Sequence, residues 1–408
     1  MTEEERKKFL EEFADEDDLE ESEIRTDVIS KEVTDEILSE IINVSKETIV
    51  EAKKERDKKA LFETAKNFFC SAKEECDEFD IRCKTRKEGF KMSKFKDLEE
   101  KMEGIEPGVY VIGAESNVGK SAFLMNIFYD LCSTESNKLY GLYIAIDDQK
   151  DDIYARVIAM NKRIPIGCVS KPLRYEAKKN ENSADIDEID DWLEEREIGI
   201  KELSENMHFR VMDGNDTYDD NDELKYPGMK TVEDIEDFII GYRDFVKSLD
   251  PENEVAIAID ALDDLRFKNE RGMDENTRMS EISKSIKRWK NQYKIPIFVN
   301  KHLRKLNQTK RPVLDAVKST IEIIYDANIV WLLHNDVSKS GQAATVFYTD
   351  YDSIEKMPVM EVNWSKNKKS SYKGTMFFTF TPNFSRIEEV DEETARRYMD
   401  IISGTSID

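Results

Sequence analysis

The chain has 408 residues, 39% hydrophobic and 37% charged, with a net charge of −26. That length suits two or three domains, or one large α/β domain with appendages, and the apolar fraction supports a packed core. The acidity argues against a surface that coats nucleic acid throughout and leaves room only for a local basic channel. No apolar run reaches the roughly eighteen residues of a membrane span, and the acidic start lacks the apolar centre of a signal peptide. Cys70, Cys76, Cys83, Cys132 and Cys168 form no C-x-x-C pair. The first three could form a partial metal cluster, but reduced cytosolic thiols are the simpler reading.

Residues 1–24 are dominated by Asp and Glu, the pattern of a disordered acidic arm or a weakly held helix. Over 25–88, Val33, Ile37, Ile41 and Val44 recur at helical spacing, and Ile49, Leu61, Ala65, Phe68 and Phe69 continue it. This predicts a small α-helical N-terminal region or linker. Residues 89–388 then alternate strand and helix. Strands are expected at 109–113, 140–146, 207–212, 254–260, 295–300, 328–334 and 343–349, with a closing pair near 358–364 and 374–381. Helices are expected near 120–132, 149–161, 185–195, 231–248 and 275–293. The fold class is therefore α/β, a mostly parallel sheet covered on both faces. The late strands lack helices between them, so the sheet should finish antiparallel. Residues 389–408 read as an acidic tail.

The densest chemical signal is Ala114-Glu115-Ser116-Asn117-Val118-Gly119-Lys120-Ser121, between a buried strand and a helix start. It departs from G-x-x-x-x-G-K-[ST] only in its first residue. Backbone N–H groups of Asn117 to Ser121 can wrap a phosphate, with help from the helix N-terminus. Lys120 would reach the β- and γ-phosphates, and the Ser121 hydroxyl would ligate Mg²⁺. Asp260 ends an apolar strand, where a second Mg²⁺-shell oxygen is expected. Asp147 ends another and is a candidate base for water, unless it or Asp148 caps the helix starting near Lys150. His302, at a third strand tip, could contact a γ-phosphate.

Two basic stretches stand out against the acidic whole. Lys301, Arg304, Lys305, Lys310, Arg311 and Lys318 suggest a loop meeting nucleic-acid phosphates, or else a solvated basic loop. Trp364 to Gly374, with Lys366, Lys368 and Lys369, reads as a basic hairpin whose cations could act on nucleotide in a neighbouring subunit, or as a solvated turn.

The order of these segments over about 88–388 resembles the DnaB-like replicative helicases of the RecA superfamily, including phage primase-helicases and Twinkle. Ala114–Ser121 is similar to that family's phosphate loop. Asp147, with Arg156 nine residues on, resembles its catalytic-acid motif, and Asp260 its Mg²⁺-associated acid. His302-Leu303-Arg304-Lys305 resembles the His-type phosphate sensor. Arg311-Pro312 and Lys318-Ser319 resemble its DNA-contacting loop, and Lys366-Asn367-Lys368 its piston-and-finger motif. The resemblance implies a RecA-like ATPase core that uses ATP and Mg²⁺ and binds single-stranded DNA. It also implies a homo-oligomer, by family expectation a six-membered ring, with a primase, polymerase or loader as further partner. The expected location is cytoplasmic, in a bacterial host if the gene is phage-borne. Three departures matter: Lys368 or Lys369 where the finger is Arg, Asp147 where Glu is usual, and Ser319-Thr320-Ile321 where a Gly is usual. Residues 1–88 do not resemble the family's N-terminal domain, and no Cys cluster supports a fused zinc-binding primase. The alternative is a RecA-fold loader, scaffold or regulator with little unwinding.

Overall fold

The computed structural model describes residues 53–69, 71–85, 88–180, 186–303, 311–314, 321–349 and 355–404. The expected acidic arm, most of the first helical stretch, and Arg304, Lys305, Lys310 and Lys318 lie outside them. The chain divides into two compact units, Met1–Lys87 and Glu88–Asp408. The first contributes helices over 53–69 and Ala72–Thr85. Among the described residues no helix is long and apolar enough to cross a membrane.

The second unit is built on a sheet of ten strands. In chain order its main elements are β1 (Gly108–Ala114), α1 (Lys120–Ser133), β2 (Leu139–Ala145), α2 (Lys150–Lys162), α3 (Ile186–Glu205) and β3 (Phe209–Asp213). Next come α4 (Val232–Leu249), β4 (Glu254–Asp260), α5 (Glu275–Tyr293), β5 (Pro296–His302) and β6 (Ile329–Asn335). Then follow β7 (Lys356–Asn367), β8 (Thr375–Thr381), β9 (Arg386–Glu389) and α6 (Glu392–Ser403). The strand order is β9-β8-β7-β6-β1-β5-β4-β2-β3. From β6 through β1, β5, β4 and β2 to β3 all pairs are parallel, and β6-β7-β8-β9 close antiparallel.

Strands buried on both faces read as continuous apolar runs, as β1 and β4 do. Alternation along β1 sends Tyr110 and Ile112 to the layer holding α1, and Val109 and Val111 to the layer holding α4 and α5. In the first layer Tyr110 stacks on Phe298 at 4.6 Å, and Phe123 meets Trp331 edge-on at 6.0 Å. In the second, α5 buries Met279, Ile282, Ile286, Trp289 and Tyr293 along one stripe, starting at Asp274, whose carboxylate accepts the Thr277 N–H at 2.7 Å. Helix α4 starts with a reciprocal capping box between Thr231 and Asp234.

Three segments differ from the expectation. The strand expected at 343–349 is only Phe347–Thr349, because Gly341–Ala343 turns as 3-10 helix. The Asp/Asn-rich excursion contains a hairpin, Thr217–Tyr218 with Leu224–Tyr226. Within the expected acidic tail, α6 carries Tyr398 onto Phe377 at 5.4 Å; its i, i+3 and i, i+4 apolar positions were masked by charge.

Candidate nucleotide site

The parallel strands bring their C-terminal ends to one edge. Register pairs Ala114 with His302 and Ala145 with Asp260, so the phosphate loop, the sensor strand and the acidic strand tips converge there. Sheets of this kind bind ligands at that edge because helix N-termini and free loop amides point into it.

Loop geometry explains its residues. Asn117 has φ 63° and Gly119 φ 110°, left-handed values that Asn tolerates and Gly adopts freely. A Cβ on Gly119 would also meet Met360 Cε at 2.7 Å. Ala114, by contrast, ends β1 fully buried and needs no glycine. Lys120 is buried, and its ammonium donates to the Glu115 carbonyl at 3.1 Å. Burial pulls the Lys120 pKa down, opposed by the charges of Asp260, Asp263 and Asp147. Ser121 follows in the first turn of α1, and Ser116 is exposed. The segment after β6 braces the loop. Lys339 forms an ion pair with Glu115, Ser338 Oγ donates to the Asn117 carbonyl at 3.0 Å, and Asn335 Nδ2 reaches the Val118 carbonyl at 3.5 Å.

Asp260 is buried, accepting from Tyr143 Oη at 2.6 Å and Asn300 Nδ2 at 2.7 Å, one bond on each oxygen. Asn300 Oδ1 is also buried and has no protein partner. Asp147 is exposed at its strand tip. The capping alternative does not hold: Asp213 of β3 accepts the Lys150 N–H at 2.9 Å, while Asp148 pairs with Arg156 at 2.6 Å. Burial, with Asp147 and Asp263 nearby, pushes the Asp264 carboxyl up, and His302 partly offsets this. Thus Lys120, Asp147, Asp260 and His302 share one neighbourhood. The donor set suits Mg²⁺: hard oxygens of Ser121 and Asp260, with phosphate and water oxygens able to complete the shell. Among the described residues no three His, Cys, Asp or Glu side chains form a closed metal cage, and a nucleotide-bound Mg²⁺ needs none.

The hairpin lies elsewhere. Because β7 runs antiparallel to β6, Asn367 pairs with Ile329, at the N-terminal ends of the parallel strands. The Lys368 N–H donates to Asn328 O, and Asn328 in turn donates to Val109 O. The length of β1 separates this end from the phosphate loop, about 20 Å at 3.3 Å per residue. Lys366 donates to the Tyr325 carbonyl at 2.8 Å and Lys368 to the same oxygen at 3.3 Å, while Lys369 pairs with Glu106 at 2.5 Å. Burial and the adjacent Lys368 charge bring Lys366 down to about 8.

Two members of the expected basic cluster are committed inward. Lys301 is 3% exposed and ion-paired with Asp263, so it is not a surface contact for nucleic acid. Arg311 gives a two-pronged bond to buried Glu361, Nε at 2.5 Å and Nη2 at 2.9 Å, so its guanidinium anchors the segment to β7. Burial raises the Glu361 pKa, and Arg311 opposes the shift. Beside them His334 is held neutral by burial and by Arg311, down to about 4.

The family model for the DnaB-like helicase C-terminal domain matches residues 91–214 and 234–389. Among solved structures, the chain is similar to a helicase-type ATPase domain at 18% identity and a TM-score of 0.59, covering 78% of this chain and 98% of that one. It is also similar to a DnaB-like replicative helicase studied with its interactions with primase, at 18% identity and a TM-score of 0.58, covering 77% of this chain and 67% of that one. At that identity the likeness establishes a shared fold, the RecA-like helicase-domain architecture. No curated protein sequence matches. The chain belongs to the DnaB-like helicase C-terminal domain family.

Proposed function

We propose that the chain is an ATP-dependent DNA helicase that hydrolyses ATP between subunits, translocates on single-stranded DNA and unwinds duplex. The observation that carries this is the acid-lined setting of Lys120, with Asp147, Asp260 and Asp263 as its charged neighbours and the family match behind it. Lys120 binds the β- and γ-phosphates. Ser121 and Asp260 hold Mg²⁺, which supplies charge neutralisation across the same phosphates. Asp147 accepts the proton of a water whose oxygen bonds to the γ-phosphorus as the bridging P–O bond to ADP breaks. His302 contacts the γ-phosphate and reports its departure along β5 to the basic loop that follows. Lys366 and Lys368 cannot serve their own phosphate loop across the sheet, so they act on the nucleotide of the next copy in a ring. A primase, polymerase or loader would engage that ring in replication.

A second reading, a loader or scaffold with weak turnover, draws on the Lys finger and on Arg311 being held by Glu361. ATPase rate with and without single-stranded DNA, alongside unwinding of a forked duplex, decides between them. The helicase reading expects stimulation and strand separation. ATP hydrolysis unaffected by DNA, with the fork left intact, would contradict it.

A further inference from the structure

Two buried charges lie beside the nucleotide site without a part in the scheme above. Asp263 sits in the turn Leu262–Asp264, just past β4. One of its carboxylate oxygens pairs with Lys301, and the other accepts the backbone N–H of His302 at 2.8 Å. Side chains alternate along β5. Val299 and Leu303 belong to the layer of α4 and α5, which puts Lys301 on that face. Asn300 and His302 are on the opposite face, where Asn300 meets Asp260. Asp263 therefore reaches around the strand tip, tied to the far face through Lys301 and to the near face through His302. Its charge also acts on Lys120. A buried ion pair is a weak source of net stability compared with apolar packing, but its charge-assisted bonds hold geometry tightly.

We infer that Asp263, locked in place by Lys301, is a positioning residue that holds His302 in register with the phosphate loop for catalysis. This rests on the ATPase reading. The test uses the full-length chain, with kcat and KM measured for ATP and Mg²⁺ and affinity measured with a fluorescent ATP analogue. Asp263→Ala should lower kcat about tenfold or more while KM and analogue affinity stay within about threefold, because misplacing a γ-phosphate contact costs rate rather than ground-state binding. The double variant Asp263→Asn with Lys301→Met keeps an oxygen for the His302 N–H and leaves no buried charge, so it should regain most of the lost kcat. Unchanged kcat in Asp263→Ala, or a loss expressed in KM instead, overturns the inference. So does a double variant as slow as Asp263→Ala. A wild type that neither binds the analogue nor hydrolyses ATP would overturn the ATPase reading itself, and this inference with it.

Discussion

The two ends of the one sheet are chemical opposites. At the C-terminal ends of β1, β2, β4 and β5, Asp147, Asp260 and Asp263 surround one buried lysine. At the other end, Lys366 and Lys368 share the carbonyl of Tyr325, and Lys290 is pulled down by burial and by its neighbours Lys369, Lys287 and Lys294. The first end has oxygens for a metal and a cradle for phosphate. The second has surplus cations of the kind a phosphoryl-transfer transition state needs. A strand's length keeps them apart in one chain, so in the proposed scheme a complete site takes two chains.

The largest effect should come from the acidic end. Lys120→Ala removes the phosphate contact and should reduce hydrolysis at least about 100-fold in a phosphate-release assay; chelating Mg²⁺ should do the same. If Lys120→Ala still turns over near the wild-type rate, the phosphate-loop assignment is wrong. Next comes the basic end. Lys368→Ala should slow hydrolysis about tenfold or more, and Lys368→Arg, which restores a forked donor, should equal or exceed the wild type. A Lys368→Ala chain with normal kcat would take this hairpin out of the chemistry. Smaller again, Lys318→Ala should lower stimulation by single-stranded DNA more than it lowers the DNA-free rate. Parallel losses in the two rates would contradict a DNA-contacting role.

The smallest effect concerns stability. His334 is held near 4 in the fold against an ordinary 6.5, so between those values the unfolded chain binds the extra proton. Stability should therefore fall as pH drops from about 6.5 toward about 4, and His334→Asn should flatten that slope in denaturant titrations. A slope unchanged by the substitution would mean His334 is not its source.

How much of this was legible in the sequence depended on range. Apolar runs such as Val255 to Ile259 announce a strand buried on both faces, and the polar residue ending each run, Asp260 or His302, marks the ligand edge. That reasoning uses only neighbours in the chain. Pairings across the fold were hidden. Lys301 stands among cations and reads as exposed, yet its partner Asp263 is 38 residues upstream. Arg311 finds Glu361 50 residues downstream. Glu361 itself, in Met360-Glu361-Val362, was the available clue: an acid within a buried strand requires a partner. The cap of α2 was likewise sought in Asp147 and Asp148, but Asp213 from the adjacent strand supplies it.

The claim that two copies complete one site can be tested by mixing. Neither Lys120→Ala nor Lys368→Ala should hydrolyse well alone. Mixed in equal amounts with ATP, Mg²⁺ and single-stranded DNA, they form some interfaces that join an intact phosphate loop to an intact hairpin. About one interface in four does so if mixing is random. The account predicts that the mixture hydrolyses ATP clearly faster than the average of the two variants. A rate equal to that average, in assemblies shown to exchange subunits, would contradict it.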